Sequence, residues 1–169
     1  MLYMVECGFA DPAREAEWCA WYDGPKLASL LGLPGWRGSQ RFVAVEAAEA
    51  PWLAVHAVPG PEFFESGVYK KAGGGNFADW GPLITNWSRN LFDGMAEAPE
   101  VPADALLAVA DVAPGTALPV DARFTWLTGV GLDNSVPDRA IAIVAAGVVA
   151  APPVRLYRPV TPLMRGTAS

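Results

Sequence analysis

Trp80-Gly-Pro-Leu-Ile-Thr-Asn-Trp-Ser-Arg-Asn-Leu-Phe-Asp-Gly-Met95 holds the densest polar-aromatic cluster of the chain. Its spacing predicts a helix over 80–95 that ends near Gly94, because Asn86, Arg89 and Asn90 then share one face. Asn is a poor helix former, so two on one face call for a reason. Either they line a polar pocket or lid together with Asn76 and Trp80, or they cap a neighbouring element or meet a dimer partner. Just upstream, Gly73-Gly-Gly75 is a candidate hinge for such a lid. It is not a phosphate loop, since no Gly-Lys-Ser/Thr follows and no GxGxxG spacing is present.

Working outward, residues 2–8 alternate and carry Tyr and Val, the pattern of a strand. Asp11-Pro12 opens a helix that sets Trp18, Trp21 and Tyr22 on one face; Gly24-Pro25 interrupts it, and it resumes from Lys26 to Leu31. Residues 39–46 and 52–58 read as an antiparallel strand pair, and 61–71 as a helix. Downstream come strands over 105–112 and 123–130, a helix from Ser135-Val-Pro-Asp138 to about Ala146, and a strand over 154–158. The order β-α-β-β-α-β is that of a ferredoxin-like unit, here with an extra C-terminal βαβ. The expectation is one α+β domain over 1–160, with sub-units 1–96 and 104–160 divided at the Pro-containing segment Glu97–Asp104, and a loose tail over 161–169.

The composition narrows the function classes. The 169 residues are 52% hydrophobic and 11% aromatic, enough for a packed core and too apolar for disorder. Seven Trp point to a large core, an interface or an aromatic ligand site. The net charge is −6 and no basic cluster exceeds Lys70-Lys71, which argues against nucleic acid. Cys7 and Cys19 form no CxxC and there is one His, so no zinc site is expected and the two Cys read as buried free thiols. The absence of a Gly-x-Ser-x-Gly elbow argues against an α/β-type serine hydrolase. The N-terminus lacks a basic n-region and an apolar h-region, and Ala140–Val154 is too short to span a bilayer, so a cytoplasmic, non-membrane protein is expected.

Glu17-Trp18-Cys-Ala-Trp21-Tyr22-Asp23, Leu27, Leu33-Pro34-Gly35-Trp36 and Gln40-Arg41-Phe42 together resemble the EthD-like group of dimeric α/β-barrel proteins over residues 1–58. This chain carries Lys26 where that group often has a His. The resemblance implies a dimeric α/β barrel and hence a homodimer. It also implies a superfamily of isomerases, hydrolases, cofactor-free monooxygenases, polyketide cyclases and haem enzymes. Fold cannot choose among these.

Strand alternation then nominates residues. Leu53, Val55 and Ala57 form a uniformly apolar set suited to packing on helices, which leaves Trp52, Ala54, His56 and Val58 for a cavity. On the first strand the same logic sends Met4 and Glu6 to the cavity. Glu6 and His56 are expected to meet as an acid–base pair, or as a structural hydrogen-bonded pair. Tyr22 is a candidate proton donor, while Lys26 and Arg41 are candidate anion holders. Trp52, Asn76, Trp80, Asn86, Arg89 and Asn90 are further candidate substrate contacts. His56 is the one residue able to serve as a proximal haem ligand, but no cofactor or metal is expected. The leading expectation is an acid–base isomerase, lyase or ester hydrolase; that it acts on an unsaturated ring-derived carboxylic acid is what the resemblance implies. One alternative is a non-catalytic barrel for aromatic ligands or stress response. The other is a cofactor-free monooxygenase or polyketide cyclase, which predicts a dry pocket of Trp, Tyr and Asn without an anion clamp.

Overall fold

In the computed structural model, which describes residues 1–72 and 76–166, the first strand β1 (Leu2–Phe9) is buried on both faces. Leu2, Met4 and Glu6 point one way; Tyr3, Val5 and Cys7 point the other. A strand covered on both sides needs two layers around it, and the fold supplies them as a closed barrel inside and a helical cover outside.

The remaining strands are β2 (Gly38–Ala44), β3 (Trp52–Ala57), β4 (Ile84–Asp93), β5 (Ala105–Ala110), β6 (Thr125–Leu132), β7 (Asp138–Ala145), β8 (Arg155–Pro159) and β9 (Met164–Arg165). They run in the order β3-β1-β4-β6-β7-β5-β8-β2, and β2 pairs back with β3, so eight antiparallel strands close into one ring. β9 pairs with Gly38 and Ser39 of β2, beyond the reach of β8, so the segment expected as a loose tail from residue 161 is tied to the sheet as far as Gly166. The interior is filled by alternate residues of every strand, among them Met4, Phe42, Val55, Phe92, Leu107 and Ile141.

This ring overturns the expected ferredoxin-like βαββαβ unit with an appended βαβ and, with it, the dimeric α/β-barrel class. The molecule is a mostly-sheet antiparallel barrel with few helices. Residues 84–93 are a strand, hydrogen-bonded to β1 on one side and β6 on the other. Two flanking ladders override the weak local preference that suggested a helix. Residues 138–145 are also a strand: Arg139 and Ile141 point inward while Ala140 and Ala142 point outward. The outward-facing alanines pack with an outer cover that includes Leu118, Val120 and Phe124. Residues 105–110 lie between β7 and β8, not beside β1.

Among the described residues the helices are confined to the first half of the chain. α1 (Glu15–Trp21) and α2 (Leu27–Leu31) are joined by one π-helical turn, Tyr22–Lys26, so the predicted break at Gly24-Pro25 is a widening of a continuous helix. Pro25 lacks an N–H and is tolerated where the turn is wide. The helix predicted over 61–71 is two short pieces, α3 (Glu62–Glu65) and α4 (Gly67–Lys71), with Ser66 capping the second through Tyr69 N–H. Among the described residues no helix is long and apolar enough to cross a membrane.

Candidate functional site

The face assignment on β3 is the reverse of expectation. Leu53, Val55 and Ala57 line the barrel interior; Ala54 and His56 face the helical cover. In a closed barrel the uniformly apolar set goes inside, and the mixed set meets helices that can hydrogen-bond it. Glu6 stands opposite Leu53, and His56 opposite Tyr3. Glu6 and His56 therefore lie on opposite sides of the sheet and do not meet.

Glu6 belongs to an ion-pair network inside one end of the barrel. Arg139 Nη2 donates to Glu6 Oε2 at 2.7 Å, and Arg155 Nη1 donates to Glu6 Oε1 at 2.7 Å. Both guanidinium groups also bond Asp111, at 2.6 Å each. Burial pushes the Glu6 carboxyl up, but the two arginines outweigh it and hold the group below its ordinary range. Two carboxylates face two guanidiniums, so the network is neutral and its charges are committed to one another. An open pocket of about 330 Å3 lies beside it, its wall including Ala44, Glu46, Pro152, Arg155 and Tyr157; Arg155, the cation in that wall, is already paired.

A different environment surrounds His56. The β1–β3 outer face, the π-turn, α4 and the start of β4 enclose an aromatic chamber lined by Tyr3, Tyr22, Tyr69, Phe77 and Trp87. His56 is fully buried within it. Tyr3 lies 5.4 Å and Trp36 5.0 Å from the imidazole, ring centre to ring centre. Ser39 Oγ is 2.8 Å from Nδ1, whereas Nε2 has no partner among the described residues. Burial, followed by the charges of Lys26 and Arg41, lowers the imidazole pKa to about 3. Burial also raises the phenols of Tyr3, Tyr22 and Tyr69, so all three remain protonated. Lys26 and Asn76 close one side, with Lys26 Nζ donating to the Asn76 carbonyl at 2.8 Å. Burial lowers the Lys26 pKa. The free space is about 20 Å3, room for one water molecule or one ligand oxygen.

The structure thus gathers His56, Tyr22, Lys26 and Asn76 and leaves the other candidates elsewhere. Arg41 is 1% exposed, bonded to Asp23 at 2.5 Å and stacked against Trp18, Tyr22 and Trp52 at 4.9, 4.2 and 4.9 Å. Trp52 Nε1 donates to Glu15 at 2.7 Å. Cys7 and Cys19 are free thiols near this cage; burial pushes Cys7 up to about 12 and raises Cys19, which leaves both protonated and poorly nucleophilic. Trp80 packs on Phe9 under the Arg14 guanidinium. Asn86 holds the Glu49 carbonyl, Arg89 pairs with Asp133, and Asn90, inside the barrel, accepts from the N–H groups of Ser135 and Val136. Asn86, Arg89 and Asn90 therefore share no face. The predicted hinge Gly73–Gly75 lies outside the described residues. Tyr3, Tyr69, Phe77, Trp87 and the Trp36–Ser39 pair were not nominated from sequence. Tyr3 was legible as belonging to the face opposite Glu6, Phe77 and Trp87 lie in or beside the polar-aromatic cluster, and Tyr69 and Ser39 carry no local signal. Among the described residues no group of three or more His, Cys, Asp or Glu is placed to hold a metal ion.

No protein-family model matches the chain, and no curated protein matches it in sequence. Nothing in these comparisons supports the EthD-like resemblance. One solved structure, described as an anthrone oxidase-like protein, shares the fold over 98% of this chain and 93% of its own, with a TM-score of 0.59 and 13% identity. At that identity the likeness is one of fold alone: both chains are small antiparallel barrels.

Proposed function

We propose that this chain takes a flat aromatic molecule into the chamber around His56 and transforms it as a cofactor-free monooxygenase or cyclase. The observation that carries this reading is the buried Nε2 of the single histidine, left without a partner among the described residues in a wall of tyrosine, tryptophan and phenylalanine. A buried polar atom without a partner costs about 1–3 kcal/mol, a cost that a ligand atom would remove. The acid–base isomerase, lyase or hydrolase reading draws less support. It relies on Glu6 beside His56 and on a free anion clamp, whereas Glu6 lies across the sheet and Arg41 is caged by Asp23 and three rings. The fold likeness to an anthrone oxidase-like protein points the same way.

Size sets a condition. A cavity of roughly 150 Å3 is needed to hold a single benzene ring, against about 20 Å3 of free space here. A ring system therefore has to displace wall side chains. Phe77 and Trp87 are suited to this: they stack edge to face at 5.5 Å, and Trp87 is exposed at the outer end of the chamber. Rotamer changes of this kind are common on binding.

The test is oxidation of anthrone in air-saturated buffer, anthrone plus O2 yielding anthraquinone plus water, followed by absorbance with and without protein. The expected result is a protein-dependent rate that His56→Ala abolishes while the fold persists. Binding without turnover would leave an aromatic-ligand barrel; neither binding nor turnover would sink the reading.

A further inference from the structure

The hydrogen bonds behind His56 determine which ring nitrogen carries its proton. The indole Nε1–H of Trp36 can only donate, and it donates to Ser39 Oγ at 2.9 Å. The same oxygen lies 2.8 Å from His56 Nδ1, and both residues are fully buried. Ser39 has one hydroxyl proton, and among the described residues Nδ1 is the acceptor within its reach. With that proton directed to Nδ1, Nδ1 is bare and the neutral ring bears its hydrogen on Nε2. The opposite tautomer would aim two donors at Ser39 Oγ and strand the hydroxyl proton. It would also leave Nε2 as an unpaired acceptor. That makes two buried unsatisfied groups in place of one, a disadvantage of about 1–3 kcal/mol, or roughly fivefold to a hundredfold in population.

We infer that Trp36 and Ser39 are positioning residues that lock His56 as a hydrogen-bond donor through Nε2–H, and that the chamber selects molecules presenting a carbonyl oxygen there, that is, aromatic ketones. This rests on the reading that the chamber takes an aromatic molecule. His56 is then not a general base. It donates a hydrogen bond to the ketone oxygen, the role that preorganised donors play in oxyanion sites. A neutral imidazole donor with depressed basicity is a known way to polarise a carbonyl. The low pKa of His56 keeps it neutral across the physiological range. The phenols of Tyr3, Tyr22 and Tyr69 around it stay protonated and can each donate or accept.

Because the chain has one histidine, nitrogen NMR of isotope-labelled histidine reads this ring alone. The full chain is expected to show hydrogen on Nε2 and a bare Nδ1, unchanged from about pH 5 to about pH 8. Xanthone, a ketone with no oxidisable CH2, is the probe. On binding it should shift the Nε2–H resonance and lower its own carbonyl stretching frequency, while xanthene, with CH2 in place of the carbonyl, should bind roughly tenfold more weakly or worse. Ser39→Ala should mix the two tautomers and weaken xanthone binding, and Ser39→Thr should restore both. A proton on Nδ1 in the unaltered protein overturns the inference, and so does equal affinity for xanthone and xanthene. Should xanthone dock on Nε2–H while anthrone goes unoxidised, the oxygenase reading fails and the donor role of His56 stands. Should anthrone be oxidised with the proton on Nδ1, the oxygenase reading stands and the donor role fails.

Discussion

Arg139 and His56 are both fully buried polar side chains, yet their surroundings treat them in opposite ways. Arg139 is given two carboxylates, and these outweigh the effect of burial and raise its pKa. His56 is given one hydroxyl and aromatic walls, and its pKa falls. Arg139→Met is therefore expected to cost about 3–5 kcal/mol, because Glu6 and Asp111 would keep buried or half-buried charge with one partner fewer. Adding Glu6→Gln should return part of the loss. Urea unfolding midpoints of the single and double variants check this. For His56 the folded pKa lies below the ordinary imidazole value of 6.5. The unfolded chain thus binds a proton that the folded chain refuses. Stability is full above about pH 6.5 and falls on acidification toward about pH 3, at up to about 1.4 kcal/mol per pH unit. His56→Gln should flatten that slope between about pH 6.5 and about pH 5, where ordinary carboxylates stay ionised. A variant with the slope intact would show that the imidazole is not buried as neutral.

At the scale of elements, β4 takes the place where a helix was expected. Its inner face carries Asn90, which accepts from Ser135 N–H at 2.8 Å and Val136 N–H at 3.3 Å and so fastens the β6–β7 connection. Asn90→Ala is expected to destabilise the fold by about 1–3 kcal/mol and to speed hydrogen exchange at the amides of Ser135 and Val136 before other strand amides. The helix reading failed for a physical reason. Residues three and four apart share a helix face, but on a strand Arg89 and Asn90 point to opposite sides. Gly94, read as a helix terminator, has φ +110° and ends a strand, and a Cβ there would meet the Trp126 carbonyl oxygen at 2.6 Å. A glycine stop signal does not tell which element it stops. The π-turn is likewise an element-scale device. One widened turn keeps Pro25 within the helix and brings Tyr22 and Lys26 to the chamber.

Across the whole molecule, the ring repeats itself. The first four strands lie in the order β2-β3-β1-β4 and the last four in the matching order β6-β7-β5-β8, joined where β4 meets β6 and β8 meets β2. Helices cover only the first four, which is why the aromatic chamber exists on one side of the barrel. Cutting the chain at 97–104 would leave each half with two unpaired strand edges and an exposed apolar interior. Residues 1–96 alone are expected not to fold as a monomer, and the intact chain to unfold in one cooperative transition. Circular dichroism and size-exclusion chromatography of the fragment check the first claim, and coincident unfolding by two probes the second.

Much of this was legible in local pattern. Residues 2–8, 39–46, 52–58 and 105–112 mark strands because short runs rich in apolar, β-branched and aromatic residues suit a sheet buried on both faces. The helical cover over 15–31 follows from the spacing of Trp18, Trp21 and Tyr22. Tyr22, Lys26, Asn76 and His56 were nominated as site residues by their chemistry alone, and the fold brings them to one place. What local pattern could not supply was the side of the sheet. Both faces of β1 and β3 are apolar enough to be inner, and only ring closure, through contacts such as Glu6 with Arg139 and Arg155 more than 130 residues away, determines which one is. That closure separates Glu6 from His56, places His56 against Ser39 and Trp36, and so turns an expected base into a donor.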